Sequence, residues 1–187
     1  MTPPTGAHGD PLADAFDRLW TPHRMAYIRG ENKPVDAAAG DGCPFCLAPR
    51  MQDRDESLVV AQGEFVYAVL NRYPYNAGHL LVCPYEHLAD YIALSEPALA
   101  EFTAFTTQCV RVLTEVARPA GFNIGMNQGG AAGAGIAAHL HQHIVPRWGG
   151  DTNFMPVVAG TRVLPEILVD TRRLLSEAWL TVGIGGG

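Results

Sequence analysis

The spacing of apolar residues along the chain follows two different periods, and each period predicts one type of element. Short apolar runs bounded by glycine, proline or asparagine predict strands, and these runs are residues 57–61, 65–70, 79–83, 122–127 and 139–145. Apolar residues at helical spacing predict a long helix that begins after Ser95 as its N-cap and ends before Pro119. A second helix is predicted over residues 165–180. This order of elements indicates the α+β class, with a mixed or antiparallel sheet and the helices packed to one side.

The first 42 residues are predicted to be an extension outside the main domain. An amphipathic segment over 10–19 predicts a short helix, and a stretch rich in glycine and alanine over 30–42 predicts a surface loop. Regular apolar spacing begins at Cys43, so residues 43–187, including the C-terminal helix, are predicted to form one domain. The chain length of 187 residues agrees with a single domain.

Composition and charge narrow the class of protein. Hydrophobic residues make up 48% of the chain and charged residues 17%, which is typical of a globular domain. The net charge of −6 argues against binding of nucleic acid, although a nucleotide needs only a local phosphate site. No apolar run approaches the roughly 18 residues of a membrane span, and residues 1–10 do not resemble a signal peptide. We therefore expect a cytoplasmic protein whose four cysteines are reduced.

Three histidines alternate with other residues in the last predicted strand, namely His139, His141 and His143. Alternation places all three imidazoles on the same face of that strand. The preceding segment, 129–135, contains only glycine and alanine, so its backbone N–H groups can approach an anion closely. This combination indicates chemistry at a phosphate group, with one imidazole as nucleophile and another as proton donor. Zinc binding by the same histidines, or a purely structural role, remains an alternative at this point.

A second group of metal-binding residue types precedes the first predicted strand. Cys43-Pro44-Phe45-Cys46 is a CxxC motif, which supplies half of a tetrahedral zinc site or, in a βαβ context, a redox pair. The predicted elements lack that βαβ context, and reduced thiols without a metal remain the alternative. Cys83 and Cys109 fall within apolar runs and are predicted to lie in the core.

The histidine motif carries a resemblance to a known family. His139-Leu140-His141-Gln142-His143, followed by apolar residues and a proline, resembles the signature of the histidine triad (HIT) family. Segments 70–84 and 121–127 resemble other parts of the family's pattern, so the similarity covers residues 43–148. Two further segments are similar to a bacterial subgroup that includes diadenosine tetraphosphate phosphorylases; these are residues 19–28 and 143–154.

The resemblance implies a fold, an assembly and a mechanism. The implied fold is an antiparallel or mixed sheet of about five strands per subunit with a long helix and a C-terminal helix, and the implied assembly is a homodimer. In the implied mechanism His141 attacks the α-phosphorus and forms a nucleotidyl-histidine, while His143 binds the phosphate oxygens or assists the leaving group. Asn71 matches a position that contacts the ribose in relatives, and Asn127 matches a position near the phosphate.

The remaining predicted site residues bind phosphate or metal. The backbone amides of the loop, including those of Gly133 and Gly135, are expected to stabilise negative charge on the phosphate. Arg147 falls on the same strand face as the histidines by alternation and is expected to add positive charge there. The resemblance implies a structural zinc ion and no organic cofactor, and the implied zinc ligands are Cys43, Cys46, His87 and His139.

The expected function is cleavage of a dinucleoside polyphosphate, such as diadenosine tetraphosphate, in which phosphate as second substrate gives ADP and ATP. The alternatives are a HIT hydrolase of dinucleoside polyphosphates or nucleoside phosphoramidates, a non-catalytic nucleotide-binding protein, and a metal-binding module. Residues 135–138 carry no polar side chain, whereas many HIT hydrolases have one there. The sequence therefore does not indicate whether phosphate or water accepts the nucleotidyl group. The expected partners are a nucleotide, phosphate and a second copy of the chain, without nucleic acid or membrane.

Overall fold

The computed structural model describes residues 42–151 and 167–182 of the chain. The helix predicted over 10–19 and nearly all of the loop predicted over 30–42 lie outside these ranges. The boundary between the extension and the main domain therefore stays a prediction. No helix within the two described ranges is long and apolar enough to cross a membrane.

Five strands form one sheet, which confirms the expected α+β class. The strands are β1 (Val59–Gln62), β2 (Val66–Leu70), β3 (Leu80–Pro84), β4 (Gly121–Met126) and β5 (Gln142–Arg147). Their order across the sheet is β1-β2-β3-β5-β4, and each neighbouring pair is antiparallel. The sheet is therefore antiparallel, which decides between the two alternatives that the sequence left open.

Strands β2 and β3 form the buried centre of the sheet. Every residue of both strands is buried, as expected for apolar and β-branched residues without a polar alternate face. Tyr67 lies opposite Cys83 and Leu70 opposite Leu80 in this pair. Strand β5 continues the sheet from β3, with Leu81 opposite His143, so the histidine-bearing strand rests on a fully buried neighbour.

Four α-helices lie within the described residues: α1 (Pro44–Leu47), α2 (Arg54–Ser57), α3 (Glu96–Ala117) and α4 (Leu168–Thr181). The sequence predicted the long helix α3 with its N-cap, and the Ser95 hydroxyl indeed accepts a hydrogen bond from the backbone N–H of Ala98. Helix α3 ends at Ala117, and the C-cap residue Arg118 has a left-handed φ of 44°, which terminates the helical hydrogen-bond pattern.

The hydrophobic core lies between the sheet and the two long helices. Phe102, Cys109 and Leu113 of α3 are buried in one cluster with the central strands, and Leu175 of α4 joins it. Cys83 lies in the same cluster, as predicted for a core cysteine. Burial raises the pKa of both core thiols far above the usual range, so neither is a reactive thiolate at neutral pH.

The first strand begins later than predicted because a short helix precedes it. The Asp53 carboxylate accepts hydrogen bonds from the N–H groups of Asp55 and Glu56 and caps α2, which includes Ser57. Leu58 then adopts a left-handed φ of 61° and leads into β1 at Val59.

The last strand also begins later than predicted, and this changes the histidine geometry. Strand β5 begins at Gln142, so His139 and His141 precede it and their side chains are not set by strand alternation. The physical reason is a backbone hydrogen bond from the N–H of Leu140 to the carbonyl oxygen of Leu88, at 2.6 Å, outside the sheet. The prediction that all three histidines share one strand face is therefore wrong.

One carboxylate joins helix α3 to the turn between β1 and β2. Glu101 accepts hydrogen bonds from three consecutive backbone N–H groups, those of Glu64, Phe65 and Val66, at 2.6–2.9 Å. Gly63 lies directly beside it, and a Cβ atom at that position would clash with the carboxylate of Glu101. The glycine therefore allows the close approach of the carboxylate to the turn.

We predict that Glu101→Ala destabilises the fold by about 2–4 kcal/mol, because three backbone donors lose a charged acceptor. The matched control is Glu115→Ala on the exposed side of the same helix, with an expected change within about 0.5 kcal/mol. Urea denaturation measures both values. Equal stability of the two variants would show that the carboxylate contributes nothing to the turn.

Candidate functional site

The histidines at the end of the sheet form two groups with different surroundings. His139 lies with His87 and the two cysteines of the CxxC motif. His141 and His143 instead line a cavity, and the buried ring of His79 lies against His143. The late start of β5 produces this separation, because it turns His139 away from the two histidines that follow.

The first group has the geometry of a tetrahedral metal site. Cys43 Sγ lies 3.4 Å from His139 Nδ1, Cys46 Sγ lies 3.3 Å from His87 Nδ1, and the two Nδ1 atoms are 3.3 Å apart. All four ligand atoms lie within 4.8 Å of one another. Zinc–nitrogen bonds of about 2.1 Å and zinc–sulfur bonds of about 2.3 Å in a tetrahedron separate ligand atoms by roughly 3.4–3.8 Å. The four residues therefore fit a zinc ion by both chemistry and spacing.

The ring of His139 is held in the tautomer that a metal ligand needs. Its Nε2 lies 2.9 Å from the carbonyl oxygen of Pro84, so Nε2–H donates and the lone pair is on Nδ1, toward the cysteines. Burial lowers the pKa of His139 to about 4, which keeps the ring neutral at neutral pH. This residue was predicted as a zinc ligand, and the structure brings it to the other three predicted ligands.

His141 has the opposite tautomer. Its Nδ1 lies 2.8 Å from the carbonyl oxygen of His139 and donates to it, so the lone pair is on Nε2. Burial lowers the pKa of His141 below its ordinary value, which favours the neutral ring. The ring of Phe45 packs against it, with ring centroids 4.8 Å apart. A neutral imidazole with a defined Nε2 lone pair in a cavity wall has the form of a nucleophile.

A part-buried hydrogen-bond relay sets the tautomer of His143. The backbone N–H of Tyr75 donates to His79 Nδ1 at 3.0 Å, so the proton of a neutral His79 is on Nε2. His79 Nε2 lies 2.9 Å from His143 Nδ1 and donates to it. The remaining proton of a neutral His143 is therefore on Nε2, and His143 differs from His141 in offering a donor where His141 offers a lone pair.

Most of the predicted nucleotide-binding residues meet at a cavity of about 370 Å³, a size within the range of small-molecule sites. The apolar part of the wall comes from α1, the turn after it, the residue before β1 and strand β2; it includes Phe45, Leu47, Ala48, Met51, Leu58 and Val69. The predicted site residues that line the same cavity are Asn71, Asn127, Gly133, Gly135, His141 and His143. The arrangement offers an apolar slot beside two imidazoles and a glycine loop.

The glycine loop needs glycine for backbone reasons. Gly129 and Gly133 have φ values of 74° and 79°, a region that favours glycine. The loop is fixed at its start, because the side-chain oxygen of Gln128 accepts a hydrogen bond from the N–H of Tyr91 at 2.8 Å. The loop therefore presents backbone to the cavity with little side-chain bulk.

Arg147 is the predicted site residue that the structure does not bring to the cavity. Among the described residues its guanidinium binds both carboxylate oxygens of Asp151 and, at 2.7 Å, the side-chain oxygen of Asn123. The hydrogen bonds from Arg147 lower the pKa of Asp151 to about 2. Alternation within β5 keeps Arg147 on the face of His143 but not of His139 and His141, which precede the strand. Arg147 does not line the cavity, so the expectation that it adds positive charge beside the histidines is corrected.

Sequence reasoning assigned no role to His79 or Tyr75. The signal for His79 was a histidine at the start of an otherwise apolar predicted strand, where burial requires a hydrogen-bond partner. No comparable signal marks Tyr75, because its contacts depend on how residues 73–79 turn between β2 and β3.

Comparison with known proteins agrees with this geometry. A family model described as the HIT domain matches residues 52–150. The AP-4-A phosphorylase of Mycobacterium tuberculosis (strain H37Rv) is 48% identical over 168 residues, which cover 89% of this chain and 86% of that protein.

Solved structures are similar as well. The crystal structure of a zinc-bound histidine triad family protein from Mycobacterium smegmatis matches with a TM-score of 0.59 and 27% identity, over 74% of this chain and 94% of that chain. A hypothetical histidine triad nucleotide-binding protein from Sulfolobus tokodaii matches with a TM-score of 0.59 and 26% identity, over 74% and 93% of the two chains.

Proposed function

The chain belongs to the HIT family, and on that premise we propose that it is a phosphorylase that cleaves dinucleoside polyphosphates through a nucleotidyl-histidine. Diadenosine tetraphosphate is the proposed substrate, and phosphate is the proposed acceptor, giving ADP and ATP. The observation that carries the proposal is the pair of opposite tautomers in the cavity wall, with a lone pair on His141 Nε2 and a proton on His143 Nε2.

In the first half-reaction His141 Nε2 attacks the α-phosphorus of the substrate. A nitrogen–phosphorus bond forms, the bond from that phosphorus to the bridging oxygen breaks, and its electron pair leaves with ATP. The ring gains positive charge, which the hydrogen bond from Nδ1 to the His139 carbonyl stabilises. His143 Nε2–H donates to the phosphate oxygens, where negative charge develops.

In the second half-reaction an oxygen of inorganic phosphate attacks the same phosphorus. The nitrogen–phosphorus bond breaks, its electron pair returns to His141 Nε2, and the product is ADP. Water in place of phosphate gives AMP instead. The acceptor therefore decides between a phosphorylase and a hydrolase, and the relative from M. tuberculosis, which is named a phosphorylase, favours phosphate.

The cavity walls suggest how a nucleotide lies. Its base fits the apolar wall that includes Phe45 and Leu58, since both line the cavity. In the proposed arrangement Asn71, which lines the cavity, binds the ribose. Its amide nitrogen is also 3.3 Å from His79 Nδ1. Asn127 and the glycine loop line the same cavity, and in this proposal they bind phosphate oxygens. Arg147 has no part in this arrangement.

We further propose that Cys43, Cys46, His87 and His139 hold a structural zinc ion. Four protein ligands close the coordination sphere, and a closed sphere supplies folding energy. His139 would then also set the tautomer of the proposed nucleophile, because its carbonyl oxygen accepts a hydrogen bond from the Nδ1–H of His141. Homodimer formation and a cytoplasmic location stay predictions from the sequence.

The products formed with and without phosphate test the proposed reaction. Diadenosine tetraphosphate with phosphate is expected to give ADP and ATP, and omission of phosphate is expected to stop turnover after one nucleotidyl transfer per site. Chromatography of the products measures both. Equal rates without phosphate, giving AMP and ATP, would make the chain a hydrolase, and no turnover in either case would make it a nucleotide-binding protein.

Zinc content tests the metal proposal. Elemental analysis is expected to find one zinc per chain, and Cys43→Ser is expected to lose the metal and to lower the melting temperature, because a ligand is removed. The matched control is Cys109→Ala, a buried cysteine of the core outside the cluster, which is expected to keep its zinc even if its stability falls. A wild-type chain without zinc, together with an unchanged melting temperature in Cys43→Ser, would refute the site.

A further inference from the structure

Tyr75 touches both histidines of the relay, yet the proposed reaction assigns it no role. Its ring centroid lies 4.7 Å from that of His79, with 32° between the planes, and 5.5 Å from that of His143, with 24° between the planes. The side chain is half-buried and lines the cavity. One aromatic ring therefore contacts both imidazoles whose hydrogen bond sets the His143 tautomer.

The main chain of Tyr75 belongs to the same relay. Its N–H donates to His79 Nδ1 at 3.0 Å. The turn that carries it is anchored on β5, because the side-chain nitrogen of Asn76 donates to the carbonyl oxygen of Pro146 at 3.0 Å. Gly78, with a φ of 71°, and a backbone hydrogen bond from the N–H of Asn71 to the carbonyl oxygen of His79 close the turn. The position of the ring is thus tied to the strand that carries His143.

The hydrogen bond between the two imidazoles is a single restraint on rotation of each ring about its Cβ–Cγ bond. Rotation of His143 would move Nδ1 away from the His79 donor and turn Nε2–H away from the cavity. Stacked aromatic rings resist such rotation, because tilting one ring loses contact with the other. The small interplanar angle between Tyr75 and His143 matches this constraint.

We propose that Tyr75 is a positioning residue for His143: its ring holds the imidazole in the plane where Nδ1 accepts from His79 and Nε2–H faces the substrate phosphate. This inference rests on the proposed function in one respect, since it takes His143 as the donor to the phosphate. The aromatic ring, rather than the phenolic hydroxyl, carries the effect.

The test compares variants that keep the ring with variants that remove it. Tyr75→Phe keeps the ring and loses the hydroxyl, whereas Tyr75→Leu and Tyr75→Met keep an apolar side chain without a ring. The control is Tyr85→Leu, which removes a tyrosine stacked on Tyr67 that does not line the cavity. Thermal unfolding identifies any variant that fails to fold, and the two ringless variants provide separate chances of a folded sample.

The expected kinetic result is a fall in kcat without a matching rise in KM. Tyr75→Leu and Tyr75→Met are expected to lose about tenfold or more in kcat with KM within about threefold of wild type, because the transition state loses a positioned donor while ground-state binding remains. Tyr75→Phe is expected to stay within about twofold of wild type. A Tyr75→Phe variant as slow as Tyr75→Leu would overturn the proposal, since the hydroxyl would then carry the effect.

A spectroscopic measurement separates this inference from the proposed function. In chain labelled with ¹⁵N-histidine and without substrate, the ring nitrogens of His143 are expected to report a single Nε2–H tautomer in wild type, Tyr75→Phe and Tyr85→Leu. Tyr75→Leu is expected to show a mixture of tautomers. Unchanged tautomers in folded Tyr75→Leu, with unchanged kcat, would refute the positioning role, and the tautomer result stands even if the chain binds nucleotides without cleaving them.

Discussion

The site depends on the hydrogen bond from His141 Nδ1 to the carbonyl oxygen of His139, at 2.8 Å. His139 takes part in two structures at once: its ring lies among Cys43, Cys46 and His87, and its carbonyl oxygen sets the tautomer of His141. The ring position and the carbonyl hydrogen bond of His139 both require β5 to begin only at Gln142. A regular strand from His139 would direct its ring to the same face as those of His141 and His143. The hydrogen bond between Leu140 and Leu88 holds this break in place.

The two cavity histidines differ in chemistry because their partners differ. A carbonyl oxygen can only accept, so His141 must donate from Nδ1 and keeps its lone pair on Nε2. A backbone N–H can only donate, so the relay through His79 leaves His143 with its proton on Nε2. His141 and His143 therefore act as nucleophile and hydrogen-bond donor in the proposed reaction. The difference in their tautomers comes from neutral backbone groups and needs no charged neighbour.

The elements were predictable where local signals are strong. The Ser95 cap and the apolar spacing after it predict α3, and the CxxC motif together with the family resemblance predicts the four clustered ligands. The break before β5 was not predictable, because it depends on Leu88, which lies 52 residues before Leu140 in the chain. The prediction that Arg147 adds positive charge at the phosphate site failed because strand alternation cannot show that Asp151 binds its guanidinium. The tautomers of the site histidines were also not predictable from the sequence, because they are set by backbone groups such as the N–H of Tyr75.

The central claim is that His141, rather than another histidine of the site, carries the nucleotidyl group. It is tested most directly by a single-turnover reaction without phosphate, using a substrate labelled on its α-phosphates. The reaction is quenched at alkaline pH, where a phosphorus–nitrogen bond survives, and the label is mapped after proteolysis. The account predicts label on His141 Nε2 and none in His141→Ala. Label on His143 or His79, or wild-type turnover in His141→Ala, would contradict it.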